Sequence, residues 1–374
     1  MTLTMRNTLL VAFVAMLYIL EGSTTFWIFS GSWDSALKMV CFALIGAIMS
    51  LGVNLQWGFA GLFNIGIMGF VALGGLATVL VSMPTTPGAW SEGGWQILIS
   101  LILGAVTIVG AIFTYRWLPK GRMRNVLMVV LLILGFMAFR AVFDGGVAGV
   151  EAINPAATGY LGGLNWGGEN YKDLGWLTVV AWPVGGLLAA GAAWVIGKTA
   201  LGLRSDYLAI ATLGIAEIII AVMKNEDWLG RGVKNVVGLP RPVPYEADLQ
   251  VDPSFIERAA SLGLDPVTAS TLYTKVGYVV LFTIVLLILL WLAERALKSP
   301  WGRMMRAIRD NEVAAEAMGK NVTARHLQIF ILGSAICGIA GAMMTTLDGQ
   351  LTPGTYQPLR FTFLIWVMVI VGGS

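Results

Sequence analysis

The stretch GAIMSLGVNLQWGFAGLFNIGIMGFVALGG, residues 46–75, decides how this chain is read. It is almost wholly apolar, yet Gly46, Ser50, Asn54 and Gly58 recur at every fourth position. On a helix that spacing gathers them into one slowly drifting stripe. Small-residue stripes let membrane helices approach closely, because lipid gives no hydrophobic drive to pair them. After the turn GFAG come Asn64, Gly66, Gly69, Gly74 and Gly75. Polar groups such as Asn54, Gln56 and Asn64 do not belong against lipid. Either they tighten helix packing, or, with Gly58, Gly61 and Gly66, they line a path for a polar solute. The two readings are compatible, since a moving interface needs small, smooth surfaces.

The rest of the chain agrees with a membrane setting. Of 374 residues, 57% are hydrophobic and 12% are charged, against about 25% charged in soluble chains. The apolar residues fall in runs of roughly 18–23, long enough to cross a hydrocarbon core of about 30 Å as helices. Ten-residue alternating segments, the mark of a membrane barrel, are absent. The expectation is an all-α, polytopic transmembrane bundle, a single transmembrane domain over 1–374. Its spans are 8–29, 35–57, 62–82, 95–115, 125–143, 176–197, 206–223, 276–293 and 327–347, with a partial tenth from Phe361. No cleavage pattern follows the first run, so it reads as a retained span. The piece Phe361–Val371 rises only about 16 Å, roughly half a bilayer. That length suggests a chain that has lost its C-terminal end.

Basic residues set the orientation. Arg116, Lys120, Arg122 and Arg124 share one loop, Lys198 and Arg204 a second, and Arg295 to Arg325 a third. Even numbers of spans separate the three, so all lie on one face, expected to be cytoplasmic together with the N-terminus. The opposite face then holds long loops at 144–175 and 224–275. In the second, Ser254 and Glu257 have capping-box spacing before a short helix that Gly263 ends.

Two acids interrupt the seventh span, LRSDYLAIATLGIAEIIIAVMK (203–224). Asp206 and Glu217 stand eleven residues apart, hence within about 20° of one face. Glu217 sits near mid-membrane, where a charge costs on the order of 3 kcal/mol or more. It must face protein or water, as a hydrogen-bonded clamp, a solute contact or a proton site.

Several functions are excluded. Cys41 and Cys337 both lie in apolar runs, and His326 is the single histidine, which leaves no basis for a metal site or disulfide framework. GAAWVIGKT (191–199) ends like a phosphate-binding loop, but Ala192 stands where a glycine is needed and a membrane span precedes it. No HExxH, GxSxG or CxxC occurs. Catalysis on a substrate, a resident cofactor and nucleic-acid binding are not expected.

The densest charge lies in SPWGRMMRAIRDNEVAAEAMGKNV (299–322). Ser299 can cap a helix begun by Pro300, and Gly319 can end it. Arg303, Arg306 and Arg309 stack at spacing three, beside an apolar face of Trp301, Met304, Met305 and Ile308. Ala314, Ala315 and Met318 extend that face with small groups, which suit close contact with a soluble partner better than lipid insertion.

IRDNEVAAEAMGKNV resembles the cytoplasmic coupling loop of ATP-driven importer permeases, whose pattern is Glu-Ala-Ala, three residues, Gly. Val313 stands where the Glu belongs, and Glu312 is one residue earlier. With LGVNLQWGFAGLFNIGIMGF and LGLRSDYLAIATLGIAEI, this segment is similar to the permeases of branched-chain amino acid ABC transporters, the LivM/LivH group, LivM the closer. That group usually has Arg-Gly-Asp-Tyr where this chain has Arg204-Ser205-Asp206-Tyr207, and His where Ile67 stands. IVGGS resembles the start of the group's Gly-Gly-x-Gly-Ser segment, after which further spans normally follow.

The resemblance implies a permease of the bacterial inner membrane. A second permease subunit, two cytoplasmic ATP-binding subunits and an extracytoplasmic solute-binding protein would complete the transporter in its lipid bilayer. Asp206, Tyr207 and Glu217 would join the substrate path. Arg303, Arg306, Arg309, Glu312, Ala314, Ala315 and Gly319 would meet an ATPase. Urea and short-amide importers share the pattern. An ion-coupled secondary transporter, with Glu217 as its coupling group, is the rival class.

Overall fold

The computed structural model describes residues 3–23, 25, 31–153, 161–162 and 175–373. Its helices are α1 (Leu3–Ser23), α2 (Trp33–Ala60), α3 (Ile67–Ser82), α4 (Trp95–Trp117), α5 (Arg122–Ala152), α6 (Gly175–Ala200), α7 (Ser205–Asn225), α8 (Asp227–Gly230), α9 (Glu246–Val251), α10 (Pro253–Ser261), α11 (Pro266–Lys298), α12 (Pro300–Asp310), α13 (Glu312–Ala317), α14 (Val322–Asp348) and α15 (Pro358–Gly372). A π-helical turn, Trp90–Gly94, leads into α4. Among the described residues, seven helices are long and apolar enough to cross a membrane; Ile67–Ser82 and Thr362–Gly372 are apolar but shorter. The protein is a multi-pass, all-α membrane bundle.

The core is built on α14, which packs against α6, α3 and α2, while α3 also packs on α6. The contacts are backbone to backbone. A Cβ on Gly74 of α3 would lie 1.9 Å from the Gly338 carbonyl oxygen, and one on Gly338 2.5 Å from that of Gly185 in α6. A Cβ on Gly341 would lie 2.0 Å from the Val71 carbonyl oxygen, and one on Gly333 2.5 Å from that of Gly52 in α2. Only glycine permits these crossings; of the glycines that make them, the sequence pattern singles out Gly74 alone. Around them the apolar side chains of Ile48, Ile67, Met68, Phe330 and Phe282 are fully buried. By contrast α4 and α5 pair with each other and leave most of their apolar surface uncovered, a hairpin suited to lipid.

Several boundaries move. The third span starts at Ile67 rather than 62, because 61–66 is a loop. The fifth runs on to Ala152, past the expected loop start at 144. Arg140 and Asp144 pair at 3.1 Å along the helix, and Gly146 and Gly149 then pack on the turn at Glu92 and Gly93. Most of the remaining 144–175 loop falls outside the described residues. The eighth span begins at Pro266 instead of 276, since Asp265 caps it by accepting from the Val267 and Thr268 amides.

The 224–275 segment is largely structured. Val236–Val237 pairs antiparallel with Gln350–Leu351, Val236 opposite Leu351, which ties this loop to the α14–α15 connection. Thr178 donates to the Pro240 carbonyl at 3.0 Å, and Thr274 to the Pro244 carbonyl at 3.2 Å. The expected capping box at Ser254 and Glu257 is not formed. Asp252 is the cap, accepting from the Ser254 amide at 3.0 Å, with Pro253 as first helical residue. Gly263 does take the left-handed conformation, φ 72°.

Gly338→Leu is expected to destroy the α3–α6–α14 crossing, an overpacking loss of at least about 1–3 kcal/mol. Gly191→Leu, on a part of α6 where a Cβ meets nothing within 4 Å, is expected to be neutral. Thermal melts of the two variants in mild detergent, followed by size-exclusion elution, check the contrast.

Candidate functional site

Residues 61–66 connect α2 to α3 as irregular backbone packed against α7. Gly61 ends α2 in the left-handed conformation, φ 69°, and its amide donates to the Trp57 carbonyl at 2.9 Å. The Ile65 amide donates to Thr212 Oγ1 at 3.2 Å. Thr212 is seven residues into α7, a rise of about 10 Å from its basic end. Irregular backbone survives at such depth only where protein satisfies it.

A buried amide relay does so. Gln56 Nε2 donates to the Phe330 carbonyl at 2.9 Å and to Ser334 Oγ at 3.1 Å. Asn64 Nδ2 donates to Gln56 Oε1 at 2.9 Å, and the Gly66 amide donates to Asn64 Oδ1 at 2.9 Å. Trp366 Nε1 closes the loop from α15 by donating to the Asn64 carbonyl at 3.0 Å. The Trp366 ring packs edge-on against Trp57 and Phe63. Gln56 and Asn64 are each 1% exposed, so in this conformation they act as a clamp between α2, α14 and the loop. The same holds for Gly66, whose Cβ would collide with the Thr212 carbonyl. Gly58 is buried and Gly61 exposed. Gly46 and Ser50 face Met368 of α15. Asn54 is half-buried and its Oδ1 has no hydrogen-bond partner, which leaves it the member of the stripe with unused polar capacity.

On α7, Asp206, Tyr207 and Glu217 are all exposed. Thr212 faces the loop, and Glu217 lies about 140° further round the helix. The structure therefore places the acids on an uncovered face, apart from the Gln56–Asn64 relay. Glu217 is not a clamp within this chain.

The charged segment forms two helices rather than one over 300–318. Asn311 breaks it with an extended backbone, φ −158° and ψ 100°, and caps α13 by accepting from the Ala314 amide at 2.9 Å. Ser299 stands at the cap position of α12, but its hydroxyl donates to the Ala296 carbonyl at 2.6 Å instead. Gly319 ends α13 with φ 75°, and the Lys320 amide donates to the Ala315 carbonyl at 3.1 Å.

Met305 and Ile308 point into the core, and Ala315 is buried too. Trp301 Nε1 donates to Gln328 Oε1 of α14 at 3.1 Å. Arg309 donates to the Gly58 carbonyl, inside the last turn of α2, where unsatisfied carbonyls and the helix dipole favour a cation. Arg309 and Ala315 thus bind the segment to its own chain. Arg303, Arg306, Glu312, Ala314 and Gly319 are exposed, beside Val313 and Met318, which are 76% and 80% exposed. Sequence reasoning missed Thr212, Ser334 and Trp366, which look like filler in apolar runs; only their polar atoms hinted at a role.

The family described as "Branched-chain amino acid transport system / permease component" matches residues 156–374, and the chain belongs to it. The chain is 27% identical over 286 residues to the high-affinity branched-chain amino acid transport system permease protein LivM of Escherichia coli strain K12. That alignment covers 74% of this chain and 60% of the relative. The Salmonella typhimurium LivM gives the same identity and coverage. A probable branched-chain amino acid transport permease protein LivM of Methanocaldococcus jannaschii is 32% identical over 98 residues, 26% of this chain and 28% of that one. The chain thus spans 60% of the length of the two bacterial relatives. No solved structure matches it significantly.

Gln56→Leu orphans Asn64 Nδ2, the Phe330 carbonyl and Ser334 together, and the loss of buried hydrogen bonds is expected to destabilise by about 1–3 kcal/mol. Gln56→Glu keeps the size and an acceptor but removes the donor to Phe330. A thermal melt of each purified variant against the parent reads both effects.

Proposed function

We propose that this member of the family is the membrane permease subunit of an ATP-driven importer for branched-chain or related amino acids. Its basic face lies toward the cytoplasm, with the N-terminus on that side. Two separate cytoplasmic ATP-binding subunits energise it, a second permease subunit completes the pathway, and an extracytoplasmic solute-binding protein delivers the solute. The names of its relatives support the solute class.

One observation carries the mechanical part: α12 and α13 are anchored on one side and bare on the other. Met305, Ile308, Trp301 and Arg309 hold the pair to α2 and α14. The other side presents Arg303, Arg306, Glu312, Val313 and Met318 to solvent. A helix so mounted receives force at its free face and passes it to what it is anchored to. The Arg309 contact falls on the last turn of α2, immediately before the 61–66 loop. ATPase closure against the free face would thus press on the start of that loop. The loop's relay joins α2, α14 and α7, so one displacement reaches three helices. The bare face also fits a groove on a soluble partner: charges at its edges set orientation and Val313 and Met318 supply apolar contact. Asp206, Tyr207, Glu217 and Asn54 are the pathway residues this reading retains.

The double variant Arg306→Glu with Glu312→Arg is expected to insert normally and to lose ATP-driven leucine uptake in proteoliposomes holding the whole transporter. Uptake at the parental rate would remove the contact surface from the proposal. Uptake driven by a proton or sodium gradient without ATP would remove the importer class. Arg309→Gln, which leaves the free face untouched, is expected to keep ATP hydrolysis while uptake per ATP falls severalfold. Simultaneous hydrolysis and uptake assays read that ratio.

A further inference from the structure

Between α7 and α15, beside the 61–66 loop, lies an open groove of about 290 Å³. That is near the lower end of the roughly 300–1,000 Å³ seen for small-molecule sites. Phe63, Ile65, Leu213, Trp366 and Ile370 make it apolar. One polar residue, Thr362, also lines it. Thr362 is 2% exposed and its hydroxyl has no partner. Helical threonines ordinarily return the hydroxyl to a carbonyl of the preceding turn. Thr107, Thr114 and Thr283 do so here at 2.7–2.9 Å. Leaving a buried hydroxyl unpaired is costly, so the groove holds an unspent hydrogen-bonding group.

Glu217 follows Leu213 by one helical turn on α7, so the two side chains are neighbours on the same side of the helix. Glu217 is uncovered, and a carboxylate near the middle of a span does not sit against acyl chains. An occupant is therefore called for that is apolar where it meets Leu213 and Trp366, and cationic where it meets Glu217. It must also offer a polar atom to Thr362. An aliphatic α-amino acid has that pattern: a branched hydrocarbon side chain, an ammonium and a carboxylate.

We propose that this groove is a solute subsite on the translocation path. The side chain of the amino acid lies in the apolar slot, its ammonium on Glu217, and the Thr362 hydroxyl donates to its carboxylate. The assignment rests on the importer reading and adds to it a location and three contacts. It also places the site beside the loop that α12 presses upon, so a stroke that shifts residues 61–66 would move Phe63 and Ile65 and deform the slot.

The test uses the assembled transporter in proteoliposomes, turning over with ATP and binding protein. Leu213→Cys puts a thiol in the slot; Cys41 and Cys337 are buried, and the parent chain supplies the background labelling. A small maleimide is expected to label the new cysteine, and L-leucine at about ten times its dissociation constant to slow labelling by about tenfold, as site occupancy requires. L-Glutamate should not slow it. Glu217→Gln in the same chain is expected to erase the protection, and Thr362→Val to weaken it about threefold, a fraction of one hydrogen bond. Labelling that leucine leaves unchanged overturns the subsite. So does a thiol that never labels, which means another helix occupies the slot. Protection that survives both Glu217→Gln and Thr362→Val overturns the assigned contacts. Parent proteoliposomes assayed in parallel keep the two levels apart: no ATP-driven leucine uptake there rejects the importer reading, whereas normal uptake without protection rejects the groove alone.

Discussion

The structure depends on α14 lying against its neighbours at backbone distance. In water, burial of side chains would hold such a bundle together; in lipid that drive is absent, and close packing must replace it. Gly338 sits between Gly74 and Gly185, so three helices meet where none has a side chain. Gly52 and Gly333 repeat the device with α2. The approach that makes these contacts strong also fixes their geometry. A helix held this closely cannot tilt without opening its contacts, so movement has to enter where packing is interrupted.

The 61–66 loop is such an interruption. It separates α2 from α3, and a relay of side-chain amides replaces the hydrogen bonds that a continuous helix would have made. Amide contacts are directional and separable, unlike interlocked glycines. The polar segment after α11 is anchored next to this point through Arg309, while on its outward side Arg303 and Arg306 reach only the carbonyls of Lys298 and Leu297 at the end of α11. The chain thus combines a rigid α3–α6–α14 unit with a hydrogen-bonded joint, and mounts its exposed charged segment against the joint. That arrangement explains why the densest charge in an oily chain stands between two spans.

Much of this was legible in sequence because membrane constraints are written in composition. Apolar runs located the helices, and the four-residue stripe on α2 marked its contact with α15 at Gly46 and Ser50, whereas the crossing with α14 falls on Gly52, outside the stripe. Asp206 and Glu217 were correctly placed on one face. Roles were less legible than positions. Asn64 and Gln56 looked equally suited to a path or a clamp; in the structure Gln56 bonds to α14, more than 270 residues away in sequence, and Asn64 bonds to Gln56, partners that sequence does not reveal. Arg309 looked like its neighbours Arg303 and Arg306, because a stack of arginines does not reveal which one reaches α2. Hydropathy misplaced the ends of α5 and α11, where polar residues carry the helix on: an ion pair between Arg140 and Asp144 in one case, an aspartate cap and hydroxyl contacts to a neighbouring loop in the other.

Exposed apolar surface has two different meanings in this molecule. Along most of their length α4 and α5 expose leucine, isoleucine and valine, and the exposed charges Arg140 and Asp144 of α5 are paired with each other. Lipid satisfies most of such a surface. The uncovered side of α7 exposes Ile210 and Ile218 in the same manner, but Glu217 interrupts it. One ionisable group in that position changes the solvent the surface requires, from hydrocarbon to protein or water. The bundle is therefore two-sided. Its α4–α5 side is finished against the bilayer, while its α7 side is complete only when another polar surface or a solute meets it. The second permease subunit proposed above would meet the unfinished side, where a shared path can run.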